Sequence, residues 1–160
     1  MEDEQLPYWV QRVVSINQGV DLENLTVKVI EASDLSRHYN CFTLQEGVVR
    51  IHLVPYLTIE ERGKVGLIEL IDLDCSSSSP RRICGGLKVT VYIRATRKVE
   101  DLLLIHLDED GGTVITGDNL KVLQKASKFR EGDTVEIWMF RVPNDNESTK
   151  ELCFIFVKQD

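Results

Sequence analysis

The chain has 160 residues, of which 42% are hydrophobic and 28% charged, the length and balance of one globular domain with a core of its own. That balance excludes a wholly disordered or collagen-like chain. Nineteen Lys and Arg stand against 26 Asp and Glu, a net charge of -7, which argues against simple electrostatic attachment to nucleic acid or to an anionic membrane surface.

Met1-Glu2-Asp3-Glu4 has the wrong charge for a targeting signal, and no apolar run follows it. Glu69 and Asp72 interrupt the longest apolar stretch, Val65 to Leu73, so no membrane helix is expected. The four cysteines, Cys41, Cys75, Cys84 and Cys153, lack CxxC spacing and are expected as reduced thiols.

Residues 1–24 are expected to be an N-terminal extension in which Leu6, Tyr8, Trp9, Val10, Val13 and Val14 suit a short helix or a segment packed on the body. From Leu25 the pattern turns to β. Leu25, Val27 and Val29 alternate with Thr26 and Lys28, and Cys41–Leu44 is a second short strand. Val48–Val54 reads either as a strand, from the alternation of Val49, Ile51 and Leu53, or as a helical turn before Pro55. Thr58-Ile59-Glu60-Glu61 fits a capping box, so a short helix starts there, limited by Gly63.

Leu67–Leu73 reads as a strand, and the serine run through Pro80-Arg81-Arg82 as a surface loop. Leu87, Val89, Val91 and Ile93 alternate with polar residues in the clearest strand of the chain. Leu102–Leu107 and Thr113–Thr116 flank Asp108-Glu109-Asp110-Gly111-Gly112 as an antiparallel hairpin. Asp118–Ser127 carries Leu120, Leu123 and Ala126 at helical spacing. Val135–Met139 and Leu152–Val157 are the last strands. Seven or eight mostly antiparallel strands with two short helices predict an open or closed β-barrel.

Charge is segregated. Residues 81–98 hold six bases and no acid (Arg81, Arg82, Lys88, Arg94, Arg97 and Lys98), and Lys121, Lys125, Lys128 and Arg130 fall in ten residues without an acid. Residues 99–120 hold six acids and no Lys or Arg. Such segregation makes a positive face on an acidic protein or, more plainly, solvated strand and helix faces. Nucleophile-elbow, phosphate-loop, GxGxxG and HExxH motifs are missing, and His38, His52 and His106 lie far apart. The Asp108-Glu109-Asp110 cluster has oxygen ligands suited to calcium or magnesium, but three adjacent acids in a hairpin loop are more simply solvated. No enzyme, metal or cofactor is expected.

Thr116-Gly117-Asp118-Asn119-Leu120-Lys121-Val122-Leu123, Phe129-Arg130-Glu131-Gly132-Asp133-Thr134-Val135-Glu136-Ile137-Trp138-Met139-Phe140-Arg141 and Glu151-Leu152-Cys153-Phe154 together resemble the C-terminal half of the plant B3 DNA-binding domain, in its divergent branch. Upstream, Ser33-Asp34-Leu35, Asn40–Leu44 and His52–Glu61 are similar to earlier segments of that family. The resemblance covers residues 25–158. It implies an all-β, seven-stranded open pseudobarrel with two short helices and an inserted loop around residues 74–86.

It further implies a nuclear protein of the transcription-factor class whose two arm loops grip the major groove of double-stranded DNA. Carried over, the first arm is Ser36, Arg37, His38, Tyr39 and Asn40, and the second runs from Asp108 to Thr113, with Gly112 and Thr113 as its DNA-facing members. Arg94, Arg97 and Lys98 assist, and the fork of Arg37 matches the O6 and N7 acceptors of guanine. The family's arginine at the start of the second strand is replaced by Cys41, its Pro-Lys pair falls near Gln45-Glu46, and the second arm is acidic. The alternative is a barrel that has lost DNA binding and joins other nuclear proteins as an adaptor. A third, nuclease-associated reading has no catalytic cluster behind it. Neither a membrane nor a small-molecule substrate is expected.

Overall fold

In the computed structural model, which describes residues 7–35, 41–67, 86–94, 97–107, 112–143 and 150–159, the chain runs α1 (Tyr8–Ile16), β1 (Val20–Val29), a 3-10 turn (Ala32–Leu35), β2 (Cys41–Leu44), α2 (Glu46–Val48), a wider π-type turn (Val49–Leu53), α3 (Val54–Tyr56), α4 (Ile59–Val65), β3 (Leu87–Arg94), β4 (Arg97–Leu107), β5 (Gly112–Thr116), α5 (Leu120–Ser127), β6 (Thr134–Pro143) and β7 (Lys150–Gln159). The seven strands form one curled half-barrel sheet in the order β1-β6-β7-β3-β4-β5-β2, antiparallel except at β3 with β7. The predicted strand at Leu67–Leu73 and the serine loop fall almost entirely outside the described residues.

Inside the curl lies the main core, built from Leu25, Leu53, Leu102, Leu104, Ile115, Leu120, Ile137, Met139, Phe154 and Phe156 among others. A second, smaller core lies on the outer face, where Val10 and Val13 of α1 cover Tyr92, Phe140, Cys153 and Ile155. The strand between these layers is therefore apolar without alternation: Leu152 to Val157 are all buried. Helix α1 and the start of β1 are thus part of the barrel, and the body begins well before Leu25. Gly19, between them, lies against the Phe140 ring, and an added Cβ would strike it.

β1 departs from the simple alternation. Asn24 pairs with Trp138 and Thr26 with the next residue, Ile137, so Leu25 is an extra residue in a bulge. Beyond it the faces exchange. Lys28 is 8% exposed and points inward, while Val27 and Val29 stand about half exposed, at 50% and 55%. The inward Lys28 meets Asp34 at 3.1 Å and lies over the Phe42 ring.

Val48–Val54 is helical. Val49, Leu53 and Leu57 are buried four residues apart, whereas Ile51 is exposed. Pro55 has no N–H to donate back along the helix, and the widened turn at Val49–Leu53 comes just before it. The capping box forms as expected: Glu61 N donates to Thr58 Oγ1 (3.1 Å) and Thr58 N to Glu61 Oε1 (2.9 Å). Gly63 does not end that helix. It continues to Val65, and Gly66 at φ 99° makes the left-handed cap. The described residues accordingly hold more helix than the two short helices expected.

These helices close one end of the barrel through Arg141 of β6. Its guanidinium grips the Glu61 carboxylate with two hydrogen bonds (2.6 and 2.7 Å), donates to the carbonyls of Tyr56 (2.8 Å) and Lys150 (3.2 Å), and stacks over the Tyr56 ring. Both side chains of the pair are about nine-tenths buried. Removing one partner strands a buried charge. Arg141→Ala is expected to cost about 3–5 kcal/mol in urea unfolding. Arg50→Ala, which breaks the exposed Arg50–Glu46 pair, is expected to cost below about 0.5 kcal/mol.

Burial alone would push the Glu61 carboxyl up, but hydrogen bonds from Arg141 and Thr58 and the guanidinium charge outweigh it and hold it below the usual range. A depressed carboxyl stabilises the fold above its unfolded value of about 4.3, and that contribution is lost as pH falls through the folded value. Stability measured by urea titration is expected to fall on acidification below about pH 4. In Glu61→Gln the fall is shallower.

Candidate nucleic-acid interface

The two predicted arms are the connections into β2 and β5, which pair at one edge of the sheet. Cys41 lies opposite Thr116 and Leu44 opposite Thr113. Because the strands are antiparallel, the first arm enters this ribbon at its Cys41 end and the second at Gly112, one residue past the Leu44 end. Four residue steps separate them, about 13 Å along the ribbon.

The base of the first arm is rigidly held. Asp34, 1% exposed, accepts from the backbone N–H of Glu31 (2.8 Å) and Thr43 (3.1 Å) and pairs with Lys28, while its carbonyl accepts from Gln124 Nε2 of α5 (2.7 Å). One carboxylate thus fastens the end of β1, the 3-10 turn and β2. The Ser33-Asp34-Leu35 segment of the family resemblance has a physical role here: its aspartate sets where the arm leaves the sheet. Ser36, Arg37, His38, Tyr39 and Asn40 themselves lie outside the described residues.

At the other end, Leu107 pairs with Gly112, whose φ of 69° suits glycine, and His106 Nδ1 lies 3.0 Å from Thr113 Oγ1. Thr113 is 3% exposed, and its hydroxyl is engaged in this internal contact. His106 is half-buried against it. The acids Asp108, Glu109 and Asp110 lie outside the described residues.

Arg97 and Lys98 begin β4, whereas Gly112 and Thr113 pair with its far end, Leu107 and His106. The two groups are therefore separated by nearly the full length of β4, on the order of 30 Å. The root of the first arm at Cys41 is level with Leu103 through Thr116, so Arg97 lies six residues, about 20 Å along β4, beyond it. Arg97 is exposed. Lys98 is tied to Glu100 at 3.1 Å, a hydrogen bond that raises the ammonium's pKa. Of Arg94 the backbone alone is described, at the end of β3.

Sequence reasoning did not single out the outward face of the ribbon, where Cys41, Thr43 and Thr116 are partly exposed. The strict alternation of buried Phe42 and Leu44 with these residues is the signal that could have found them. Burial, and then the Asp34 charge, raise the pKa of Cys41, so its thiol is neutral. The ribbon face is uncharged.

A second concavity, of about 340 Å³, is lined by Asp21, Glu23, Ile51, His52, Pro55, Tyr56 and Arg141. Its guanidinium is already neutralised by Glu61, and its two open carboxylates repel phosphate. Among the described residues no group of three His, Cys, Asp or Glu is placed to hold a metal, and no helix is long and apolar enough to cross a membrane. No family model matches the chain, and no curated protein matches it.

The two described cysteines differ in access, and that difference is measurable. Burial pushes Cys153 up to about 12, and it is sealed under α1. Alkylation with iodoacetamide at pH 8, mapped by mass spectrometry, is expected to label Cys41 slowly and Cys153 only after denaturant is added. Labelling of Cys153 in the folded protein would contradict the sealed outer core.

Proposed function

We propose that the chain is a B3-like, sequence-specific DNA-binding protein of the nuclear transcription-factor class, reading the major groove with its two arm loops. The observation that carries this reading is the spacing of the arm roots. They leave opposite ends of one short ribbon about 13 Å apart, against a major groove about 12 Å wide. A loop held at each end of a narrow ribbon can enter one groove from both of its walls. The fixed base at Asp34 adds to this, since an arm that must present Arg37 to a base edge gains from a root that does not move. The segments resembling the B3 domain supply the rest of the support.

A second reading has specific observations in its favour. Cys41 is neutral where the family has a cation, Thr113 is buried, Lys98 is paired, and the second arm carries three acids. These features favour a barrel that joins other proteins as an adaptor.

Selection of bound duplexes from a random library, followed by titration at 50 and 200 mM salt, separates the two. A DNA reader enriches one motif, and its affinity falls steeply with salt. Arg37→Ala is expected to weaken binding by about 1–3 kcal/mol and to relax specificity at one position. Cys41→Arg is expected to tighten binding and to steepen the salt dependence by about one phosphate contact. An absence of duplex binding at 50 mM salt excludes the DNA reading and leaves the adaptor.

A further inference from the structure

The basic run at Lys121–Arg130 is a charge feature of the sequence that the arm loops do not absorb, and its setting in the fold is specific. Among the described residues Lys121, Lys125, Lys128 and Arg130 hold no ion pair, a state they share with Arg12, Arg62, Lys64, Lys88, Arg97 and Lys150, but only these four are gathered within ten residues. All four are exposed. Lys121 and Lys125, four residues apart, line one side of α5, away from buried Leu120 and Leu123, and Lys128 follows at the helix's left-handed cap, at φ 59°. The stripe is about 10 Å long.

Helix stability does not account for this placement. Cations stabilise the last turn of a helix, which explains Lys125 and Lys128, but Lys121 stands in the first turn, where no acid is present and the helix dipole disfavours positive charge. Position in the fold is the second observation. The bond from Gln124 to the carbonyl of Asp34 joins α5 to the root of the first arm. At the other end, Asn119 Nδ2 donates to Glu100 O (2.7 Å), three residues from exposed Arg97. The acids Asp118 and Glu131 bracket the stripe in sequence, and at its Arg130 end the Asp133 carboxylate accepts from the Arg130 backbone N–H (2.8 Å) and pairs with Lys158.

We propose that α5 is a docking rail for one phosphate strand of duplex DNA, with Lys121, Lys125, Lys128 and Arg130 as phosphate contacts. The proposal rests on the DNA-binding reading above and deepens it. DNA is engaged asymmetrically. The first arm reads bases beside a cationic rail, and the root of the second arm lies about 13 Å away along the β2–β5 ribbon. This arrangement lets a protein of net charge -7 bind phosphate, because the cations that contact DNA are gathered at one end and left unpaired.

The test compares the full chain with Lys121→Gln/Lys125→Gln/Lys128→Gln and with a control, Lys64→Gln/Lys88→Gln, whose exposed lysines lie elsewhere. Binding to a 20-base-pair duplex bearing the selected motif is followed by fluorescence anisotropy from 50 to 200 mM salt, and circular dichroism verifies that each variant is folded. The rail predicts that the triple variant loses at least about tenfold in affinity at 100 mM salt and that its log-log salt slope falls by about two to three. The control keeps the slope of the unmodified protein. A folded triple variant with an unchanged slope overturns the rail while leaving the arm-loop reading in place. A duplex that fails to bind the unmodified protein at 50 mM salt overturns the reading, and the rail with it.

Discussion

The buried pair of Arg141 and Glu61 is the contact on which the closure of the barrel depends. Glu61 does two things at once, capping the start of α4 through Thr58 and receiving both arms of a guanidinium from β6. Arg141 in turn holds the Tyr56 and Lys150 carbonyls, so a single side chain joins α3, α4, β6 and the start of β7. A curled sheet with two free edges has an open end, and apolar contact alone does not decide how a helix sits across it. A bidentate pair at low exposure decides it, because any other seating leaves a desolvated charge unmatched.

Lys28 and Asp34 do the corresponding work at the far end. The carboxylate gathers two backbone N–H groups and an ammonium, and the Phe42 ring faces the same cation. The two ends of the barrel therefore share a principle, a buried ion pair that ties non-strand segments to strand ends, but they differ in what they present outward. At the Arg141 end the open charges are acidic, at Asp21 and Glu23. At the Asp34 end unpaired bases line α5.

Much of the architecture was legible in the residues. β3, the β4–β5 hairpin, α5, β6 and β7 follow from periodicity and turn chemistry, and the capping box at Thr58–Glu61 stands as read. What was not legible traces to two local events. The extra residue at Leu25 reverses the faces of β1, and nothing in an alternating Leu-Thr-Val-Lys-Val run announces a bulge, so Lys28 read as a surface residue. The run Val49-Arg50-Ile51-His52-Leu53 satisfies a period of two and a period of four together, and burial of Val49, Leu53 and Leu57 decides for the helix. Of the site, the resemblance assigns the arms to Ser36–Asn40 and Asp108–Thr113, of which only Gly112 and Thr113 lie within the described residues. The buried state of Thr113 and the distance of Arg97 and Lys98 from it were not legible, because both follow from strand register, which is a long-range property.

β7 has a further consequence. In the strand order it stands between β6, which carries β1, and β3, which carries β4, β5 and β2, and both of its faces are buried. Each half of the sheet is incomplete until this strand is in place, although β1 and β2 are made more than a hundred residues earlier. β1 has its partner in β6 and β2 in β5, but the two halves of the sheet join only through this last strand. Folding of the barrel is therefore dominated by contacts distant in sequence, which makes it slow relative to a helical domain of this size and strongly cooperative. While β7 is missing, the apolar edges of β3 and β6 are open to neighbouring chains.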